Sequence, residues 1–427
     1  MKKGEIMDYK NYFLDLKKLV KFNSVQSSAL PNAPFGQEVY NCLLCFLDIA
    51  KGFGFDTINY DGYAGEVRFG QGEEFGILCH LDIVPVGSLS DWNTDPFTLV
   101  DNGEKLIGRG VLDDKGPALL ILYALKELKD SGFVPNKKIR LILGCNEESG
   151  WGCIDHLKKL NAMPDFGFSP DADFPVIYAE KGILHVEFSF DQQGLVEIVG
   201  GKACNMVCDY VKFKTEKDFA NYLDYDLKLT DTYLEGFGKT AHASTPYKGQ
   251  NAIKKVLKFL SDNKIVSQEI SKKLFDNSTS ILNLQDETGN LTLSPNVICL
   301  KNGKLNILCD IRYPATLSCE QVLKELSKIG DYTVTGHQPS LFVDKNCSLV
   351  STLTKIYNDI TKQNDTPIAI GGGTYARSMK NCVAFGPVIL EEDACCHEPN
   401  EFITKKTLSL AYEIYKKAIK TLAWKLF

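Results

Sequence analysis

The architecture of this chain follows from the stretch Ile77-Leu-Cys-His-Leu-Asp-Ile-Val-Pro85. The apolar residues before His80, which include Phe75, are typical of a strand in a sheet that is covered on both faces. His80 and Asp82 are two residues apart, so both side chains point to the same face of that strand. Buried polar groups must be satisfied, and an imidazole beside a carboxylate is typical of a metal ligand with a fixed tautomer. For this stretch alone, a hydrogen-bonded core histidine is the alternative.

More acidic residues follow the next apolar segments of the chain. The segments are Gly108-Arg-Gly-Val-Leu-Asp-Asp-Lys-Gly-Pro117 before a helix at Ala118–Lys129, Lys138-Ile-Arg-Leu-Ile-Leu-Gly144 before Asn146-Glu-Glu148, and Asp165-Phe-Gly-Phe-Ser169 before Pro170-Asp171-Ala-Asp173. Asp113 and Asp114 could also simply cap the helix. In open α/β sheets, however, ligands bind outside the carboxyl ends of the strands. Strand ends that carry His/Asp, Glu/Glu and Asp/Asp therefore predict a metal site.

The order of helix-like and strand-like segments predicts an α/β protein with an inserted domain. Residues 1–183 alternate helices and strands, which predicts three layers around a central mixed sheet. Residues 184–342 follow a strand-helix-strand-strand-helix-strand order, which predicts an α+β domain with a mainly antiparallel sheet. Residues 343–427 return to α/β character. The inserted domain is therefore expected to interrupt the first one and to be able to hinge as a lid.

Bulk properties exclude several classes of partner. The 427 residues carry a net charge of −6, which gives no general attraction to nucleic acid. The fourteen cysteines are scattered and form no small-domain disulfide framework, as expected for reduced thiols in the cytoplasm. Asp8–Phe22 reads as an amphipathic helix rather than a signal peptide. No apolar run of about 18 residues is present to span a membrane.

Two ordered sets of segments resemble a known family. The first set resembles the signature of the dinuclear metallopeptidases that include aminoacylase, carnosinase, glutamate carboxypeptidase and succinyl-diaminopimelate desuccinylase: His80-Leu-Asp82, Gly108–Gly116, Asn146-Glu-Glu148, Ser169-Pro-Asp171 and His397-Glu-Pro-Asn-Glu401. The second set resembles the bacterial dipeptidase branch (PepV type) of that family: Trp92–Phe97, Gly200–Val207, Gly238-Lys-Thr-Ala-His242, Asp310-Ile-Arg-Tyr-Pro314 and Gly371–Arg377. The resemblance runs from about residue 10 to the C-terminus.

The resemblance implies a site with two divalent metal ions. The implied ligands are His80 and Asp171 on one ion, Glu148 and His397 on the other, and Asp113 as the bridge between them. Two imidazoles and three carboxylates favour zinc, with manganese or cobalt as alternatives. The resemblance further implies that Asp82 orients the ring of His80, and that the Asp113–Asp114 peptide bond is cis.

Four further residues are predicted to act on the substrate. Glu147 adjoins a metal ligand without having to bind metal itself, so it is the predicted general base; a further ligand or a solvated charge is the alternative. In the lid, His242 resembles a histidine that binds the reaction's oxyanion. Arg312 resembles an arginine that pairs with the substrate's terminal carboxylate, a task suited to its planar fork. Asn205 resembles a substrate-contacting asparagine. Structural roles, such as a surface salt bridge for Arg312, are the alternatives.

The resulting hypothesis is a metal-dependent dipeptidase or short-peptide hydrolase that uses a metal-activated water. An N-acyl-amino-acid hydrolase would use the same catalytic residues, and a catalytically silent peptide-binding protein is a third alternative. The chain lacks the Gly-x-Ser-x-Gly elbow of serine hydrolases. We expect a cytoplasmic protein with a small peptide as its partner and with neither nucleic acid nor membrane. A monomer is expected, with a homodimer through the lid as the alternative.

Overall fold

The computed structural model describes residues 8–217, 219, 221–276, 281–389 and 395–424. It divides into two compact units, each with its own sheet and core. Unit 1 comprises Met1–Tyr178, Val343–Ile368 and Thr374–Phe427, and unit 2 comprises Ala179–Phe342 and Ala369–Gly373. The inserted segment was predicted to begin at residue 184, whereas unit 2 begins at Ala179 and includes a second, short segment.

The first part of the chain supplies most of unit 1. Its helices are α1 (Tyr9–Val20), α2 (Gln37–Gly52), α3 (Lys115–Asp130) and α4 (Gly152–Lys159). Its strands are β1 (Asp56–Tyr60), β2 (Ala64–Phe69), β3 (Glu74–His80), β4 (Val100–Asp101), β5 (Lys105–Ile107), β6 (Lys138–Gly144), β7 (Phe166–Ser169), β8 (Ala172–Asp173) and β9 (Ile177–Glu180), of which the last crosses into unit 2.

The remaining elements belong to unit 2 and then to the C-terminal part of unit 1. Residues 182–342 form β10 (Gly182–Phe190), β11 (Leu195–Gly200), β12 (Tyr210–Thr215), β13 (Leu227–Leu229), β14 (Leu234–Phe237), α5 (Ala252–Asp262), α6 (Gln268–Phe275), β15 (Gln285–Asp286), β16 (Gly289–Asn290), β17 (Thr292–Lys301), β18 (Lys304–Tyr313), α7 (Cys319–Leu326), β19 (Tyr332–Gln338) and β20 (Leu341–Phe342). Later residues form α8 (Ser348–Thr361), β21 (Ile368–Ile370), β22 (Cys382–Ala384), β23 (Pro387–Val388), β24 (Phe402–Thr404) and α9 (Lys405–Leu422).

Unit 1 is built on a mixed sheet with the strand order β1-β2-β6-β3-β7-β22-β9. Four central strands run parallel to one another, namely β6, β3, β7 and β22. The outer strands β1, β2 and β9 pair antiparallel. Helix α3 packs on β3 and β6, and also on α1 and α9. It is buried from Lys115 to Leu125, as its nearly continuous apolar sequence predicts. The predicted α/β class with a central mixed sheet is confirmed.

Unit 2 is built on an antiparallel sheet with the order β13-β14-β12-β11-β17-β18-β10-β19. Along β10, buried and half-buried residues alternate strictly, which is typical of a sheet with one covered face. The amphipathic helix α5 contributes Ile253, Val256, Leu257 and Leu260 to the core of this unit. Within the described ranges of both units, none of the helices is long and apolar enough to cross a bilayer.

Candidate active site

The parallel strands of unit 1 deliver the predicted ligands to one edge of the sheet. Strand β3 lies between β6 and β7 and is parallel to both. His80 is the last residue of β3, Glu147 and Glu148 follow the end of β6, and Asp171 follows the end of β7. Because parallel strands end at the same edge, residues far apart in sequence converge there, as the sequence analysis expected.

Asp113 lies between two histidines. Its Oδ1 atom is 2.8 Å from Nε2 of His80, and its Oδ2 atom is 2.9 Å from Nε2 of His397. Nε2 of His80 also lies 3.6 Å from Oδ2 of Asp171, and Nε2 of His397 lies 3.3 Å from Oε1 of Glu148. The carboxylate of Asp113 thus presents one oxygen to each of two separate His/carboxylate pairs.

Local backbone geometry positions these side chains. The Asp113–Asp114 peptide bond is cis, as the family resemblance implied. Asp114 is fully buried, and its Oδ2 atom accepts a hydrogen bond of 3.0 Å from the main-chain N–H of His80. His397 has a φ of 67°, in the left-handed region that non-glycine residues rarely adopt. Such strained positions cluster at functional sites, where the surrounding structure maintains them.

Asp82 binds the turn that carries the two glutamates. Its Oδ1 and Oδ2 atoms accept hydrogen bonds of 3.0 Å from the main-chain N–H groups of Glu147 and Glu148, respectively. The ring of His80 was predicted to be oriented by the Asp82 carboxylate. In the structure, Nδ1 of His80 is instead 3.0 Å from the main-chain carbonyl oxygen of Asp82, and the carboxylate is 3.6 Å away. The carboxylate of Asp82 therefore binds the Glu147–Glu148 turn rather than the ring of His80.

Two buried atoms at the centre of the site lack a hydrogen-bond partner within the described part of the chain. They are Nε2 of His80 and Oδ1 of Asp113, which lie 2.8 Å apart without forming a hydrogen bond with each other. Unsatisfied buried polar atoms are costly and rare, so such atoms indicate a site for a further binding partner. His80, Asp113 and Glu148 each offer a ligand atom, and these three atoms lie within 4.8 Å of one another. The donor types and their convergence fit a divalent cation.

The electrostatics of the site also favour a cation. Burial raises the pKa of Glu147 well above its ordinary value, with His80 opposing the shift and Asp171 adding to it. Burial, together with Asp113, raises the pKa of Asp171 to about 7. For His397, burial lowers the pKa, but hydrogen bonds to Asp113 and Glu148 raise it to about 11. A divalent cation would oppose these raised pKa values, because metal binding favours the deprotonated form of each ligand.

Comparison with known proteins identifies the family. Residues 76–421 match the model of peptidase family M20/M25/M40. The chain belongs to this family. The match confirms the predicted family and the predicted hydrolase class, and the family is metal-dependent.

Relatives of this M20 peptidase match it over nearly their whole length. It is 32% identical to the putative dipeptidase YtjP of Bacillus subtilis, over 96% of each chain. It is 33% identical to a Beta-Ala-Xaa dipeptidase of Lactobacillus delbrueckii subsp. lactis, over 95% of this chain and 94% of that protein. The crystal structure of human carnosine dipeptidase 1 shares the fold, with a TM-score of 0.61 and 14% identity, over 97% of this chain and 96% of that one.

The M20 peptidase has one supporting residue that the sequence analysis quoted without assigning a role. Strand β24 pairs antiparallel with β5, which brings the buried Glu401 beside the loop that carries Asp113. The carboxylate of Glu401 accepts hydrogen bonds from the Nη1 atom of Arg109 and from three main-chain N–H groups, those of Gly110, Leu112 and Asp113, at 2.8, 3.1, 2.9 and 3.2 Å. Arg109 also donates to the carbonyl oxygen of His397 at 3.3 Å. Glu401 and Arg109 thus connect the loops that carry two candidate ligands.

We expect Glu401→Gln to destabilise unit 1 by about 3–5 kcal/mol, because it leaves the buried guanidinium of Arg109 without a counter-ion. Metal affinity should fall as well, since the loop with Asp113 loses its anchor. Chemical denaturation and metal titration measure the two effects. Glu398→Gln is the matched control, because Glu398 is exposed and lies in the same segment. Equal stability of the two variants would contradict the anchoring role.

The residues that were predicted to contact the substrate from the inserted domain lie in unit 2. Asn205 and His242 are both exposed, and they lie on adjacent segments because the N–H of Ala243 donates to the carbonyl oxygen of Asn205 at 2.9 Å. Nδ1 of His242 is 2.7 Å from Oγ of Ser244. A Cβ atom on Gly371 would come within 2.8 Å of the Cβ of Ser244, so glycine permits this approach.

Arg312 does not lie at the protein surface, as its alternative role in a surface salt bridge would require. It lies on β18, an inner strand of the sheet, and is only 4% exposed. Its Nε and Nη2 atoms donate to the two carboxylate oxygens of Asp310 at 2.6 and 2.9 Å, and its Nη1 atom donates to the carbonyl oxygen of Gly371 at 2.9 Å. Much of the guanidinium is thus already hydrogen-bonded within the protein. Pairing of Arg312 with the substrate's terminal carboxylate stays a prediction.

Proposed function

We propose that this M20 peptidase hydrolyses dipeptides or short peptides with two divalent metal ions. His80 and Asp171 would hold one ion, Glu148 and His397 the other, with Asp113 between them. The observation that carries the proposal is the placement of the two Asp113 oxygens, 2.8 and 2.9 Å from the Nε2 atoms of two different histidines. A single carboxylate can span the 3.5–4 Å that typically separates the ions of such sites. The donor set favours zinc, with manganese or cobalt as alternatives.

Glu147 performs the proton transfers in this proposal. When bound, the ions supply Lewis-acid polarisation of the scissile carbonyl and a lowered pKa for the attacking water. Glu147 takes the proton from that water and passes it to the amine leaving group. Burial raises the pKa of Glu147 above its ordinary value, which strengthens its carboxylate as a proton acceptor. Asp82 keeps Glu147 in register with Glu148 through their main-chain N–H groups.

The substrate class is supported by the relatives, among them one called a Beta-Ala-Xaa dipeptidase at 33% identity. We expect chelation to abolish the activity, and reconstitution with zinc, manganese or cobalt to restore it. A panel of dipeptides, tripeptides and N-acyl amino acids, assayed on the reconstituted enzyme, identifies the substrate class. Full activity after complete metal removal would refute the metal-dependent mechanism, and hydrolysis of only the N-acyl amino acids would favour the deacylase alternative.

In this proposal, residues of unit 2 contact the substrate. His242 donates a hydrogen bond to the developing oxyanion, Arg312 pairs with the terminal carboxylate of the substrate, and Asn205 contacts the substrate. The exposure of His242 and Asn205 on adjacent segments is consistent with ligand contact.

We expect His242→Ala to lower kcat by about 10²-fold with little change in KM, because an oxyanion contact strengthens in the transition state. Steady-state kinetics on one good dipeptide measure both constants. His156→Ala provides a comparison, since His156 lies on helix α4 of unit 1 beside Asp61. An effect of His242→Ala on KM alone would argue against oxyanion binding.

We also propose a cytoplasmic location. All fourteen cysteines are free thiols, which is the usual state of cysteine in a reducing compartment. A monomer remains the expected oligomeric state.

A further inference from the structure

The Nδ1 atom of the His242 ring contacts Ser244. The main-chain N–H of Ser244 donates to Nδ1 of His242 at 3.2 Å. The hydroxyl oxygen of Ser244 lies 2.7 Å from the same nitrogen. Both contacts are made within a three-residue segment of unit 2, so they do not depend on any other part of the chain.

The main-chain contact decides which ring nitrogen carries the proton. A backbone N–H can only donate, so Nδ1 must be the acceptor, and in a neutral imidazole the other nitrogen is then the protonated one. The hydroxyl can rotate to donate to the same lone pair and so reinforces this arrangement. We infer that Ser244 is a positioning residue that holds His242 in the tautomer with its proton on Nε2.

Neighbouring contacts hold Ser244 in place. The N–H of Thr245 donates to the carbonyl oxygen of His242 at 3.0 Å, which closes a turn around Ser244. His242 also forms an isolated bridge with Met206, and Ala243 is bound to Asn205. On the side-chain face, Gly371 leaves room for the Cβ of Ser244, and its carbonyl oxygen accepts a hydrogen bond from Arg312. The position of Ser244 is therefore fixed from both sides.

This tautomer makes His242 a hydrogen-bond donor at Nε2. A neutral ring with its proton on Nδ1 would present a lone pair at Nε2 and would repel an oxyanion. The inference deepens the proposed function and, for its catalytic consequence, rests on it. The tautomer itself is a property of the free protein and can be measured whether or not the substrate has been identified.

The test is a long-range ¹H–¹⁵N correlation spectrum of zinc-reconstituted protein labelled with ¹⁵N-histidine, at a pH where the ring is neutral. The signals of His242 are assigned by their loss in His242→Gln. We expect a protonated Nε2 and an unprotonated Nδ1 in the wild type. Ser244→Ala keeps the main-chain N–H and removes only the hydroxyl, so part of the preference for a proton on Nε2 should be lost, and kcat should fall about two- to tenfold with KM unchanged, the effect of losing one neutral hydrogen bond.

Thr245→Ala is the matched control, because Thr245 contacts His242 through its main-chain N–H, which this substitution keeps. It should leave both the spectrum and kcat as in the wild type. A wild-type ring with its proton on Nδ1 would overturn the inference, and a Ser244→Ala spectrum identical to that of the wild type would overturn the part of it that rests on the Ser244 hydroxyl. If the protein hydrolyses no peptide, the proposed function fails while the spectra still decide the role of Ser244.

Discussion

Replacing Glu147 with glutamine should lower turnover by about 10²- to 10⁴-fold while both metal ions stay bound. The amide keeps the size of the side chain and its place in the turn, because Asp82 binds the main chain of residue 147 rather than its side chain. It cannot, however, accept the proton of the attacking water, and general acid–base catalysis typically contributes a factor of this size. Steady-state kinetics and metal analysis of the purified variant measure the two properties separately.

The neighbouring Glu148→Gln is the matched control for this prediction. Glu148 is bound to Asp82 in the same way, and its carboxylate lies beside His397. We expect this variant to lose metal at one position, whereas Glu147→Gln should retain wild-type stoichiometry. Metal loss in Glu147→Gln would make residue 147 a ligand, and unchanged turnover would remove it from the mechanism.

Asp113→Asn should have a still larger effect, a loss of about 10⁴-fold or more in activity, because it weakens both metal positions at once. An asparagine offers one neutral carbonyl oxygen where the carboxylate faces two histidines. Lewis-acid stabilisation is worth several kcal/mol, and each 1.36 kcal/mol of barrier is a factor of ten. Metal titration and kcat measure the loss.

Comparison with a single-site variant separates bridging from simple ligation. His397→Ala should lose about one ion per chain, while Asp113→Asn should lose more than one. Asp155→Asn, an exposed carboxylate of helix α4, controls for the change in charge. If Asp113→Asn and His397→Ala retained the same amount of metal, Asp113 would be a ligand of one ion only.

The sequence allowed prediction of the features that depend on local pattern and chain order. Apolar strands followed by His80, Glu148 and Asp171 could be recognised one at a time, and parallel pairing then required that they meet. The pairing of Asp310 with Arg312 could also have been predicted, since residues two apart on a strand share a face.

Other features could not be predicted from the sequence because they depend on tertiary geometry. The partner of Nδ1 of His80 is a main-chain carbonyl rather than the adjacent carboxylate, a choice set by distances of 3.0 and 3.6 Å. The hydrogen bonds that Glu401 accepts from the Asp113 loop join residues without any periodic relation in the sequence. The pairing of two short strands, β5 and β24, brings them together.

The dependence of Asp113 on Glu401 has a consequence for protein synthesis. The two residues are separated by 288 positions, so the loop with Asp113 leaves the ribosome long before its anchor is made. At 5–20 residues per second, the interval is about 15–60 s. During this time His397 is also absent, and the growing chain has neither the second histidine nor the carboxylate that orders the loop. If the proposed site is correct, a chain terminated before residue 397 should therefore have no peptidase activity.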